Sequence, residues 1–370
     1  MSTAQYKLEY TTDPDIIKFN RVQNSEVWRG PMTPEEYNER EEKAARLQIS
    51  LQDHSNYAGL YCFSFKDLSL PDNGGKLDQI VAACETLNKR AWVVVNGELK
   101  EIIAPCVGGV YTLPQHRKKG YAEKMISAVN EYWKEKLPSD TFMFLMSEVG
   151  PFYERCGYIG HAVPVLKVQY AHTDNYKLPF DEEAEGVEYL GWDNYEDLII
   201  PFHDRVKAEI VELSKQNKDK HIFSLVPNMN QLTWFHLRDL HCGAIIGKNV
   251  TNSKLGVKLD KDNFMVWFHE WDTPELKVTK LQATSLENLI KLIQLGVQEA
   301  KNTDFAQLYI WESSIPEEYK EQLSEYLKVN FPTTKFSQVN TSIPSIMPLD
   351  DKVREEKSYI WAENDKWGWY

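Results

Sequence analysis

The stretch Val107-Gly-Gly-Val-Tyr-Thr-Leu-Pro-Gln-His-Arg-Lys-Lys-Gly-Tyr-Ala122 constrains the fold more than any other, because three local signals meet in it. Val107 to Thr112 is β-branched and aromatic, as a strand requires, and Pro114 ends it. Beyond the turn, Ala122, Met125, Ile126, Val129, Trp133 and Leu137 recur at the spacings of one helix face until Pro138. The turn between them is therefore a helix start, where unpaired amides and aligned peptide dipoles leave partial positive charge. Cations are disfavoured there unless an anion compensates, yet Arg117, Lys118 and Lys119 crowd it, and Gly120 permits close approach. Such a turn suits a diphosphate.

Two further elements follow in order. Phe142-Met-Phe-Leu-Met146 is a continuous apolar run fit for a buried parallel strand, and Pro151-Phe-Tyr-Glu-Arg-Cys-Gly-Tyr158 comes next. The Arg-x-x-Gly-x-Ala pattern at 117 to 122, after a strand ending Val-x-Thr-x-Pro, resembles the acetyl-CoA signature of the GNAT superfamily of N-acetyltransferases. The Phe-Tyr element closed by Gly-Tyr resembles that superfamily's next element, so the resemblance spans residues 5 to 170. It implies an α/β (α+β) fold with a mixed central sheet, and acetyl-CoA as cosubstrate. It also implies cofactor contacts from Val110, Tyr111 and Thr112 on the strand and from Arg117, Lys118, Lys119, Gly120, Tyr121 and Ala122 in the cradle. Within the superfamily, the length, the two-domain plan and the Phe-Tyr-Glu-Arg-x-Gly-Tyr element resemble the fungal lysine N6-acetyltransferases of lysine catabolism. The implied acceptor is the N6-amine of free L-lysine, attacked directly in a ternary complex. The same block also resembles arylalkylamine and polyamine acetyltransferases, and protein-lysine acetylation stays open beside them. A noncatalytic acyl-CoA-binding scaffold is the alternative of another class.

Catalysis needs a proton donor to the departing thiolate and a route for the amine's proton. The resemblance places Tyr153 beside the CoA sulfur, and a phenol with an ordinary pKa of about 10 is a competent donor at neutral pH. The superfamily often has a carboxylate on the strand before the cradle, but Cys106 stands at that position here. The base then falls to Glu85 on a neighbouring strand, to Glu148 after the apolar strand, or to a water chain; His116 in the cradle loop is expected to face solvent. A further candidate is Tyr370 through its terminal carboxylate. The end Tyr359-Ile-Trp-Ala-Glu-Asn-Asp-Lys-Trp-Gly-Trp-Tyr370 is too aromatic to hang in solvent. Two readings of it stay open: a last strand of the second domain's own core, or a tail whose Trp367, Trp369 and Tyr370 wall the acceptor site.

At 370 residues the chain exceeds the size at which one core usually keeps growing, roughly 250 to 300 residues, so two domains are expected. The expected division is 1–170 for the catalytic domain, 171–186 for a polar acidic linker, and 187–370 for a second α+β domain. In that domain the order strand, strand, helix, strand, helix echoes the first, but no glycine and no basic turn precede the helix opened by Ser285. A degenerate GNAT-like repeat without a cradle is one reading and an unrelated cap the other. The charged run Glu35 to Arg46, on a helix opened by Thr33-Pro-Glu-Glu36, is expected to form a solvated face. A net charge of −13 excludes nucleic acid as the main partner, and the five cysteines show no C-x-x-C metal or disulfide pattern. No metal is expected. A signal-peptide core and a run long enough to span a membrane are both missing, which points to the cytosol or nucleus. The expected partner is a small-molecule amine, and the expected state a monomer or homodimer.

Overall fold

The computed structural model describes residues 5–170, 177–192 and 194–369. The first half contains β1 (Tyr6–Thr11), α1 (Pro14–Trp28), α2 (Pro34–Ala44), β2 (Gly59–Asp67), β3 (Ile80–Val95), β4 (Glu98–Thr112), α3 (Tyr121–Lys134), β5 (Phe142–Ser147), β6 (Ile159–Gly160) and β7 (Val165–Gln169). A short 3-10 segment, Gly150–Cys156, links β5 to β6. The second half contains β8 (Glu188–Leu190), α4 (Glu196–Gln216), β9 (His221–Leu225), α5 (Met229–Ile245), β10 (Gly256–Asp260), β11 (Asn263–Glu270), β12 (Glu275–Gln282), α6 (Leu286–Asn302), β13 (Gln307–Trp311), α7 (Lys320–Asn330), β14 (Lys335–Gln338), β15 (Ile343–Pro348), α8 (Asp351–Glu355) and β16 (Tyr359–Trp361).

α3 forms where the periodicity places it. Met125, Ile126, Val129 and Trp133 are buried against the first sheet, each side chain contributing roughly 1.5–3 kcal/mol. Trp133 meets Tyr61 edge to face at 5.0 Å between centroids, an arrangement the ring quadrupoles favour. The proline at the start of α2 and the reciprocal cap between Thr33 and Glu36 fix that helix's entry as the sequence implies.

The described strands form two sheets. One has nine strands, in the order β1-β2-β3-β4-β5-β15-β6, with β9 on the far end of β3 and β16 on β9. The other has seven, in the order β14-β7-β13-β12-β11-β10-β8. The sheets do not divide at residue 170. β7 leaves the first half to lie between β13 and β14, and β15 comes back to lie between β5 and β6. The reason is on β5, which is buried at every position and so needs a partner along its whole second edge. β15 supplies it over six residue pairs, from Ile343↔Ser147 to Pro348↔Phe142. The largest core joins Leu87, Phe142 and Phe144 to Phe223, Trp234 and Trp367 and thus belongs to both halves. Of the expected linker, residues 171–176 lie outside the described residues, and 177–186 form turns.

One expectation is corrected. The run Glu35 to Arg46 is solvated at Glu35, Glu39, Glu42, Lys43 and Arg46, but Arg40 and Glu41 within it are buried and ion-paired at 2.6 Å. The second half covers them, with Arg238 of α5 at 3.9 Å from Glu41 and His241 of the same helix contacting the Glu36 carbonyl. A single sequence cannot announce a covering helix two hundred residues away.

The second sheet repeats the plan of the first: β12 and β13 are parallel and joined by α6, as β4 and β5 are parallel and joined by α3. The helix starts differ. Ser285 caps α6 by accepting from the Asn288 amide, whereas α3 starts at Gly120 with no side-chain cap. Because the first sheet borrows β9, β15 and β16, residues 1–170 produced alone are expected to lack a cooperative unfolding transition. A urea melt followed by circular dichroism checks this, and a sharp two-state transition in the fragment would contradict it.

Candidate active site

β3 and β4 set the geometry. Ala83 pairs with Tyr111 and Glu85 with Gly108, so Gly109 and Val110 stand against Cys84 alone in a bulge. Gly109 has φ of +58°, a conformation strained for any residue with a side chain. On its other edge β4 pairs with β5 only at Cys106↔Phe144 and Val107↔Leu145, after which the strands part. Gly108, Gly109 and Val110 therefore border a cleft of about 540 Å³ instead of a sheet neighbour. Trp28 to Met32 and Arg40 line it from the first half, Arg238 of α5 and Phe268 to Trp271 from the second, and Tyr153 and Trp369 also border it.

The turn before α3 is an open helix start. Gly120 has φ of +76°, and a Cβ there would meet nothing within 4 Å, so the approach to the α3 amides is open. Lys118 is also left-handed, with φ of +64°, and both it and Lys119 are exposed. Arg117 donates to the Thr112 carbonyl at 3.2 Å and to Glu26 at 2.7 Å, and the Tyr111 hydroxyl also meets Glu26. Glu26 thus supplies part of the anionic compensation that this cationic turn requires. Tyr121 faces inward: its hydroxyl donates to Asp67 at 2.6 Å and ties the turn to β2. Its side chain is an anchor, while its amide and that of Ala122 belong to the uncapped first turn. An uncapped helix start, open space at Gly120 and three cations fit a diphosphate.

The candidate acid and base face the same cleft. Tyr153, half-buried in the 3-10 segment, has its hydroxyl pKa raised by burial and by the nearby Cys84, Cys156 and Glu148 groups, so it holds its proton at neutral pH. Burial, reinforced by the charge of Glu41, raises the pKa of Glu85, while Arg21 and Arg238 oppose the rise. A carboxyl tuned upward in a cleft is a suitable base. Cys106 is fully buried, and burial pushes its thiol up to about 12, so it does not replace the carboxylate it displaces. Glu148 lies at the cleft's rim and is exposed. His116 is half-buried against Tyr121, not free in solvent.

The tail enters between the halves. Gln231 donates to the Trp367 carbonyl at 3.0 Å and Lys89 to the Gly368 carbonyl at 2.8 Å. Trp369 borders the cleft, while Trp367 is core, packed on Phe202 at 5.5 Å between centroids. The strand before it, β16, pairs in the first sheet and not in the second half's own. Tyr370 lies outside the described residues. Sequence reasoning missed the opposite wall altogether: Arg238, Glu270, Trp271 and Lys277 come from the second half and make no motif with the first. It also missed Arg40 and Glu41, whose placement as surface charges concealed them.

Gly120→Glu is expected to leave the fold intact and to weaken acetyl-CoA binding at least tenfold, because a carboxylate would occupy the anion's approach. Gly120→Ala carries only the left-handed strain, about 1–2 kcal/mol. Calorimetric titration with acetyl-CoA checks both; unchanged affinity in folded Gly120→Glu would remove the cradle.

The chain matches the acetyltransferase (GNAT) domain over residues 10–160 and the LYC1 GNAT-like C-terminal domain over residues 172–370. It is 29% identical to an uncharacterized protein of Saccharomyces cerevisiae, covering 98% of this chain and 97% of that protein. A lysine acetyltransferase of Yarrowia lipolytica is 24% identical over 82% of this chain and 84% of its own length. Among solved structures, a conserved protein of Enterococcus faecalis described as a "Probable N-Acyltransferase" superposes with a TM-score of 0.53 at 11% identity, covering 94% of this chain and 73% of that one. A GCN5-related N-acetyltransferase of Anabaena variabilis superposes with a TM-score of 0.50 at 11% identity, covering 95% and 75%. At such identity the structures speak for the fold, which therefore repeats in GNAT-like form in the second half. Matching one acetyltransferase domain before residue 171 and, over more than half its length, the domain that follows, the chain belongs to the GNAT acetyltransferases with a LYC1 GNAT-like C-terminal domain.

Proposed function

We propose that this acetyltransferase transfers the acetyl group of acetyl-CoA to the N6-amine of free L-lysine. The observation that supports this acceptor is the charge of the cleft's far wall, where Arg238 and Lys277 stand among Asp239, Glu270 and Asp272. A free amino acid needs a cation for its carboxylate and an anion for its α-ammonium, and this wall offers both. At the bulge the cleft presents carboxyls for the second amine. The lysine acetyltransferase of Yarrowia lipolytica, similar over most of both chains, favours the same acceptor.

Acetyl-CoA supplies the acetyl group as a thioester. The cradle amides with Arg117, Lys118 and Lys119 would hold its diphosphate, and the parted edge of β4 from Val110 to Thr112 would hold its arm. Gly108 and Gly109 leave backbone where the carbonyl must approach. Glu85 takes a proton from the ammonium so that a free amine attacks, and Tyr153, kept neutral by burial, gives one to the departing thiolate. Trp369, Trp28 and Phe268 on the lining would keep water from the reaction centre.

Free-thiol release from acetyl-CoA with L-lysine, 1,5-diaminopentane, spermidine, tryptamine and a lysine peptide tests the acceptor. L-Lysine is expected to have the highest kcat/KM, and Arg238→Gln to shrink its advantage over 1,5-diaminopentane, which lacks the carboxylate, by about tenfold or more. A peptide, polyamine or arylalkylamine that surpasses L-lysine overturns the reading. Tyr153→Phe is expected to lower kcat about 10²-fold with acetyl-CoA affinity unchanged. Wild-type turnover in that variant across the pH profile would make Tyr153 structural.

A further inference from the structure

Beside the bulge lies a chamber of about 20 Å³ bordered by Asn20, Arg21 and Asn24 of α1 and by Glu85 and Gly109. A polar space of at least about 10–15 Å³ accommodates one water. Arg21 and Asn24 are both more than nine-tenths buried, and among the described residues the Arg21 Nε donor and the Asn24 Oδ1 acceptor have no hydrogen-bond partner. A buried polar atom left in that state costs about 1–3 kcal/mol. Here one donor and one acceptor border a space of water's size. Glu85 borders both this chamber and the cleft, so its carboxyl is the wall between them. A Cβ at residue 109 would sit 3.4 Å from Asn24 Nδ2 and 3.4 Å from Glu85 Cγ, so the glycine leaves room for both side chains over the bulge.

We propose that Arg21 and Asn24 are positioning residues for the reaction, binding one water in the chamber and holding Glu85 against it in its ionised form. The inference rests on Glu85 as the proton acceptor. Arg21 Nε donates to the water oxygen, and the water donates one hydrogen to Asn24 Oδ1 and the other to the Glu85 carboxylate. When Glu85 has taken the amine's proton it donates to that oxygen instead, so neither state leaves the carboxyl without a partner on this side. The charged and titratable groups facing Glu85 are Arg21 from α1, Tyr37 and Glu41 from α2, Cys62 from β2, Cys84 on its own strand and Arg238 from α5. β4 offers only glycine backbone. Of these, Arg21 is the first among the charges that favour the ionised carboxylate, and burial is what it works against.

The test compares pH profiles of kcat/KM for wild type, Glu85→Gln, Asn24→Leu and Asn24→Ser, with acetyl-CoA and L-lysine, or spermidine if L-lysine is inert. Asn24→Leu fills the chamber with apolar atoms. It is expected to move the acid limb to higher pH by about one unit or more and to lower kcat at neutral pH about tenfold, with acetyl-CoA affinity unchanged. Asn24→Ser keeps an acceptor and room for water, and returns the limb towards its wild-type position. Glu85→Gln removes the limb. If the limb is lost in Glu85→Gln but stays in place in folded Asn24→Leu, the chamber has no role and the proposal falls while the base stands. A limb that survives in Glu85→Gln overturns the proton-acceptor reading and this inference with it. Asn24→Val serves the same purpose should the leucine variant fail to fold.

Discussion

The parting of β4 from β5 after two residue pairs is the constraint on which the rest of the structure depends. Peptide groups want partners, and a strand end released on one edge within a protein interior is costly unless something polar occupies that edge. The bulge at Gly109 and Val110 turns the released edge towards the cleft, and β3 keeps the opposite edge paired as far as Thr112. A thioester's arm is a ligand of the right kind for such an edge, being a chain of amides that both donate and accept. The turn before α3 follows without a break, so on the proposed reading a strand that paired with the arm would deliver the diphosphate end to the start of α3.

The same parting explains why the chain needs its second half. Having lost β4 early, β5 must be closed on its other side, and β15 does this from far along the chain. β7 makes the opposite journey into the second sheet. With a strand exchanged in each direction and one core shared, the two halves are set rigidly across the cleft. α5 can then place Arg238 beside Glu41 of α2, and the tail can run between them under the hold of Lys89 and Gln231. Burial lowers the Lys89 ammonium to about 8, a cost set against its bonds to the last carbonyls.

Legibility followed sequence distance. The strand, turn and helix around Gly120 were readable because each depends on neighbours in the chain: proline stops, helix-face spacing, a glycine with positive φ. Tyr153 and Glu85 were readable as candidates because they lie on elements whose order the resemblance supplied, and the structure brings both to one cleft. What stayed hidden was made by long-range pairing. Nothing in Pro344-Ser-Ile-Met says that this run closes β5, and nothing in the alternation of Val165 to Gln169 says which sheet receives it. Arg40 and Glu41 looked like surface charge, since their spacing is that of any exposed helix. The echo of the first half in the second was visible in element order, and its missing cradle in the lack of glycine before Ser285.

Comparing the two halves identifies what turns this fold into a catalyst. Both have a parallel strand pair joined by a helix, and in both the helix start offers its amides. In the second, Ser285 accepts from one of those amides, so the site for an anion is filled by the chain itself. In the first, glycine leaves it open, and three cations that would otherwise destabilise the helix start are tolerated only with an anion nearby. Of the three cations, Glu26 is ion-paired with Arg117 among the described residues, and Lys118 and Lys119 remain exposed. The difference between a catalytic and a structural copy of the fold therefore comes down to a few residues at one helix start and to a glycine in the strand before it. The second copy is not idle, because residues of its α5 and β11 line the cleft opposite α1 and α2. On the proposed reading, specificity for the amine lies in the half without the open helix start, and the chemistry lies in the half that has it.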